Sequence, residues 1–172
     1  MNLEQLLDTV PASAKDLKLN LSNLLQQPEL TKQQIWGTAV TSAITARNAA
    51  LTAAITEAAA AHIGPEVIEA ARGAAAIMGM NNIYYRFQHL TENKKYGTIP
   101  ARLRMNIIRT HGIDPVDFEL FCIAASAING CGVCIDSHER VVREKGTGED
   151  VILACVRIAS VIHGLATVFD AA

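Results

Sequence analysis

The chain has 172 residues, half of them hydrophobic, few of them aromatic, and a net charge of -2. That length suits one domain, or two small helical halves sharing a core, and buries roughly 70% of the unfolded surface without a disulfide or metal staple. The charge balance argues against nucleic acid or an anionic membrane as main partner, since each calls for a basic patch. Much of the apolar half is alanine, the best helix former. The opening run MNLEQLLDTV has no basic segment, apolar core or cleavage site of a secretion signal, so a cytoplasmic location is expected.

The elements read as a run of helices, with Pro11, Pro28, Pro65, Pro100 and Pro115 between apolar-periodic segments. Leucines at 17, 21, 24 and 25 mark one face of a first helix. Thr31 and Gln34 have the spacing of a capping box, which predicts a helix to about Arg47. Asn48 is placed to cap an alanine-rich helix that stops near Gly64, and Pro65 suits the first turn of the next. That helix carries Ala70, Gly73, Ala74 and Ala75, whose small size predicts close packing. Tyr84, Tyr85 and Phe87 are expected in the core, with a pocket wall as the alternative. The polar stretch from His89 to Gly97 reads as a loop joining two helical halves, 1–88 and 98–172, of a single all-helical domain spanning 1–172. The fold class is therefore all-α.

Asp114-Pro115 predicts a further helix start, and Asn129-Gly130 its stop, because both of those residues tolerate positive φ. Cys131-Gly132-Val133-Cys134 then opens a polar helix ending near Gly146. Thr147 with Asp150 has the spacing to cap a last helix. The apolar run from Val151 to Phe169 invites a membrane reading. Arg157 near its middle makes a buried helix the better one. The high apolar content predicts a buried subunit interface.

A CxxC pair in an intracellular chain is a redox pair, half of a metal site, or two unrelated packed thiols. The first turn of a helix offers unpaired N–H groups and partial positive charge, and both favour thiolate. This matters because a free cysteine is only about 3% thiolate at neutral pH. Cysteines three apart on a helix share a face, so a short disulfide is open to them. His138 lies one turn beyond Cys134, and imidazole exchanges protons near neutral pH. Glu119, Cys122, Ser126 and Asn129 form one stripe on an apolar helix, which would bring Glu119 to His138 if the turn folds it back. Cys131, Cys134 and His138 also count as three zinc ligands, with Cys122, Cys155, His163 or Glu119 as a fourth. For Cys122 and Cys155 the expectation is buried structural thiol, and for His163 a hydrogen-bonded core position.

The run from Phe118-Glu119-Leu120 through Ser126-Ala127-Ile128-Asn129-Gly130-Cys131-Gly132-Val133-Cys134 to Ser137-His138-Glu139 resembles the active-site signature of the alkyl hydroperoxide reductase D (AhpD) family, within the carboxymuconolactone decarboxylase-like superfamily. The likeness extends to Ile35-Trp36-Gly37-Thr38, to Ala74 through Asn82, and to Leu103 through Ile108. The resemblance implies an AhpD-like helical fold, a homotrimer, and lipoyl-dependent peroxidase activity with no bound cofactor or metal. It implies that Cys134 is oxidised to sulfenic acid, that Cys131 supplies the proton and resolves it to a disulfide, and that His138 and Glu119 relay protons. The implied partners are an AhpC-type peroxiredoxin and a dihydrolipoyl acyltransferase subunit, with dihydrolipoamide as electron donor. Gly132 stands where some members carry a histidine, so that imidazole is missing here. The alternatives are a zinc-stabilised interaction module and a decarboxylase-type enzyme of the same superfamily.

Overall fold

The computed structural model describes residues 1–171. Among the described residues nine α-helices follow one another: α1 Leu3–Asp8, α2 Lys15–Leu24, α3 Lys32–Ala46, α4 Ala49–Ala59, α5 Pro65–Leu90, α6 Ile107–Thr110, α7 Pro115–Asn129, α8 Gly132–Glu144 and α9 Glu149–Asp170. Two short 3-10 turns, Ala12–Ala14 and Lys94–Thr98, complete the chain, and no strand occurs among the described residues. Local chemistry sets most boundaries. Thr31 and Gln34 close a reciprocal capping box on α3, Asn48 accepts from the Leu51 N–H at 2.8 Å to start α4, and Pro65 takes the first position of α5. Asp114 caps α7 by accepting from the Val116 and Asp117 amides at 2.8 and 3.3 Å.

Helices α3 and α7 form the centre. Each packs against α5 and α9 as well as against the other, and α7 also carries α8. Both are buried nearly all round, as expected of core helices rather than surface ones. Their close approach depends on Gly37, where an added Cβ would fall 2.0 Å from Phe121 Cζ. Polar residues inside this crossing are satisfied locally: Ser42 donates to the Thr38 carbonyl at 2.6 Å and Thr41 to the Ala71 carbonyl at 3.1 Å. The small residues of α5 do pack closely. Ala70, Ala71 and Ala74 are buried, and a Cβ on Gly73 would lie 2.9 Å from Ile107 Cγ1 of α6.

Several expectations need correction. Helix α5 continues through His89 to Leu90, so the polar connection starts at Thr91. Gln88 holds this last turn by bonding Tyr84 Oη at 3.1 Å, and the histidine suits the negative end of the helix. Tyr84 and Tyr85 are only partly buried and Phe87 is exposed, so this trio lies at the margin and not in the core. Thr147 does not cap α9. Gly148 takes the cap position with no side-chain bond. The Thr147 backbone is already used to close α8, its N–H donating to the Val142 carbonyl and its carbonyl accepting from Arg143. Helix α9 is long and apolar enough to cross a membrane by length and composition, yet its apolar face packs on α2, α3 and α7, with Arg157 on the exposed side. His163 lies on that exposed side too, because Ile162 and Leu165 take the inward positions of that turn.

Candidate active site

The turn between α7 and α8 builds the site. Gly130 closes α7 in the left-handed conformation, at φ 66°, which reverses the chain within two residues. The Cys131 N–H then donates to the Ser126 carbonyl at 3.1 Å, and Cys131 becomes the N-cap of α8. Cys134 sits one turn later, and the two are joined as a disulfide with their Cα atoms 5.3 Å apart. Cys131 is completely buried, whereas Cys134 is 6% exposed and lines a pocket. The cysteines expected at the first turn are therefore there, and only the second opens to a visitor.

His138 follows on the same face of α8. Its Nδ1 lies 2.5 Å from Glu119 Oε2, a short charge-assisted contact between two side chains that are 14% and 15% exposed. The carboxylate fixes the orientation of the imidazole ring through Nδ1, and the ring lines the same cavity as Cys134. Cys134, His138 and Glu119 thus share one cavity of about 430 Å³. Tyr85, Met105, Ile108, Val133 and Val141 supply its apolar walls. The alternative zinc set does not come together as ligands among the described residues: the two sulfurs are bonded to each other and His138 to Glu119, and Cys155 and His163 lie elsewhere on α9.

The other three members of the α7 stripe do different work. Cys122 is buried, and burial together with the nearby Glu119 charge holds its thiol well above the usual range. Burial likewise pushes the Cys155 thiol up to about 12, against a 3.6 Å contact from the Thr38 hydroxyl. Ser126 and Asn129 join a network under the turn. Asn82 on α5 donates to Ser126 Oγ at 2.9 Å and accepts from Asn129 Nδ2 at 2.9 Å, and Arg86 donates to the Asn129 carbonyl. The network ties α5 to the residues that orient Cys131. With the Asn82–Ser126 bond buried and the Asn129 contacts partly so, it rigidifies that turn.

Sequence reasoning missed Asn81, Met105, Ile108, Ser137 and Val141, which also line the cavity. Asn81 is 4% exposed and its Oδ1 has no hydrogen-bond partner among the described residues. An unpaired buried acceptor costs about 1–3 kcal/mol. The available signal was the Asn81, Tyr85 spacing of four on an otherwise small-residue helix, which puts a polar and an aromatic side chain on one face.

Fold and site together define an all-helical CxxC protein with a histidine–carboxylate pair beside its disulfide. Residues 95–172 match the carboxymuconolactone decarboxylase family. The chain is also 60% identical to the alkyl hydroperoxide reductase AhpD of Solibacter usitatus, covering 99% of this chain and 96% of that one. It is 61% identical to AhpD of Acidobacterium capsulatum (99% and 94% covered) and 49% identical to AhpD of a Bradyrhizobium species (100% and 95% covered). The chain belongs to the AhpD family of alkyl hydroperoxide reductases.

Proposed function

We propose that the protein is an antioxidant alkyl hydroperoxide reductase, a lipoyl-dependent peroxidase whose working group is Cys134. The observation that carries this reading is the placement of one pocket-facing sulfur, disulfide-bonded to a buried neighbour, beside the His138–Glu119 pair. In the reduced enzyme the Cys134 thiolate is favoured by the positive end of α8 and by a protonated His138. It attacks the terminal oxygen of a hydroperoxide. The O–O bond breaks, sulfur is oxidised to sulfenic acid, and His138 gives the leaving alkoxide its proton. Glu119 holds the imidazolium during this step. Cys131 then attacks the Cys134 sulfur, releasing water and closing the disulfide.

Reopening needs two electrons from outside. The thiolate of a dithiol, dihydrolipoamide, attacks the accessible Cys134 sulfur, and Cys131 leaves and takes up a proton. The second thiol resolves the mixed disulfide and regenerates the Cys134 thiolate. The lipoyl group would arrive on an acyltransferase subunit. The same reduced pair would reduce the disulfide of an AhpC-type peroxiredoxin. The enzyme would act as a cytoplasmic homotrimer without a bound cofactor.

The test is turnover of tert-butyl hydroperoxide by the purified chain at the expense of dihydrolipoamide, with Cys134→Ser as control. Turnover by the wild type and none by the variant is expected. A fully active Cys134→Ser protein, or an inert wild type, ends this reading.

A further inference from the structure

Positive charge in this chain is gathered in one stretch. Between Asn93 and Ile113 stand five cations, Lys94, Lys95, Arg102, Arg104 and Arg109, and no carboxylate. Taking those five from a net charge of -2 leaves -7 on the remainder. All five are exposed, and none forms an ion pair among the described residues. The carboxylate that ends the stretch, Asp114, is occupied in capping α7. Helix α8, which carries Cys134, is balanced instead, with Arg140, Arg143 and Lys145 set against Asp136, Glu139 and Glu144. In the fold the stretch is a strap, the longest connection between helices among the described residues, running from α5 through the Lys94–Thr98 turn into α6. Its Met105 and Ile108 form part of the wall of the Cys134 cavity, and its Tyr96, Ile99 and Leu103 stay exposed between the cations. Connections this long in a compact domain are commonly binding elements.

We infer that residues 93–109 are a docking surface for an acidic protein domain that carries the reducing dithiol. The inference rests on the thiol exchange proposed above and names the kind of body that delivers it. Cys134 is only 6% exposed and lines a cavity, so a dithiol must reach it on a slender arm, and the body holding that arm comes to rest on the cavity rim. The strap forms part of that wall and offers unpaired cations, which attract a negative surface at long range and speed encounter. The charge of -7 on the remainder repels an extended polyanion such as a nucleic acid or an anionic membrane, whereas a compact acidic domain meets the strap alone. Ile99 and Leu103 add apolar contact that a phosphate backbone would not use. The exchange is balanced. One carrier thiolate bonds to the Cys134 sulfur as the Cys131–Cys134 bond breaks, and Cys131 leaves and takes up a proton. The second carrier thiol loses its proton and displaces Cys134, so the cysteine pair gains two electrons and the carrier becomes a disulfide.

The experiment follows reduction of the oxidised, full-length protein by three dithiols. One is neutral dihydrolipoamide; the others are peptides that bear the same reduced lipoyl group on a lysine, set among glutamates or among lysines. At ~0.02 M salt the glutamate peptide should react about tenfold faster than the lysine peptide, and the two should converge at ~1 M, where the Debye length is about 3 Å. Lys95→Glu, Arg104→Glu and Arg109→Glu together should remove the preference and leave the rate with dihydrolipoamide within about twofold, and the corresponding glutamine variants serve should the reversed protein not fold. A preference below about threefold, or one that survives the reversal, overturns the assignment. So does dissociation of the assembly by the reversal, which would make the strap a subunit contact. Tighter binding of a single-stranded oligonucleotide than of the glutamate peptide at ~0.15 M salt overturns it as well. Failure of dihydrolipoamide itself to reopen the disulfide overturns the lipoyl reading, and this inference with it.

Discussion

The four cysteines divide into two regions that differ in everything except residue type. Cys122 and Cys155 lie in the crossing of α7 and α9 with α3, fully buried and unbonded. Cys131 and Cys134 lie at the start of α8, bonded to each other, with one sulfur at a cavity wall. In the first region desolvation penalises the thiolate, and the Thr38 hydroxyl at Cys155 offsets only part of that penalty. Burial is the main cause of the raised thiols, and the negative charge of Glu119 beside Cys122 adds to it. In the second region, under the proposed mechanism, a helix start and an imidazole favour the ionised form once the disulfide is reduced. The lesson is that reactivity is conferred by the elements that meet at a sulfur. Helix α7 shows it within one stripe, since Glu119 pairs with His138 beside the Cys134 sulfur while raising the thiol of Cys122.

The contrast can be broken most severely at the resolving sulfur. Cys131→Ser should allow one oxidation of Cys134 and then stop, a loss of multiple turnover on the order of 10³ or more. Sulfenic acid trapping by dimedone at Cys134 reads this out, and continued turnover would show that another thiol resolves it. Next in size is labelling of the reduced native protein near pH 7. With its thiol near 12, Cys155 should react on the order of 10³ times more slowly than a free cysteine, and Cys122 should be comparably silent. Mass-resolved alkylation that finds all four sulfurs equally fast would erase the distinction between the regions.

His138→Phe removes the proton exchanger and should slow attack on peroxide by about 10²-fold, with a changed dependence of alkylation rate between pH 6 and 8. An unaltered profile contradicts its role at Cys134. Glu119→Gln keeps a hydrogen-bonding shape and loses the charge that holds the imidazolium, so a loss of about tenfold is expected in the same assay. The smallest effect is on stability. Asn82→Ala strands Ser126 and Asn129 beneath the turn, at a cost of about 1–3 kcal/mol. Thermal unfolding should show this as a fall of roughly 2–4 °C for each kcal/mol in a chain of this length.

Much of this was legible in the sequence because it is local. Capping pairs at Thr31–Gln34, Asn48 and Asp114–Pro115, and the Asn129-Gly130 stop, act over a few residues and declare themselves by spacing. The candidate site was legible for the same reason, since Cys131, Cys134 and His138 share one helix. Glu119 was reachable because a single tight turn joins its helix to theirs. What escaped depends on contacts distant in sequence. Asn81 and Asn82 are adjacent, and only the packing of α5 on α7 and α8 decides which one is satisfied and which faces the cavity. His163 escaped because an apolar helix conceals which of its faces is covered, and Thr147 because the end of α8 competes for its backbone.

One measurement bears most directly on the central claim. The fully reduced protein is given one equivalent of tert-butyl hydroperoxide, free thiols are counted under denaturing conditions, and the bonded pair is mapped by mass. Two thiols should disappear, found as a Cys131–Cys134 disulfide, with Cys122 and Cys155 still free. Four surviving thiols, or a bond that engages Cys122 or Cys155, would contradict it.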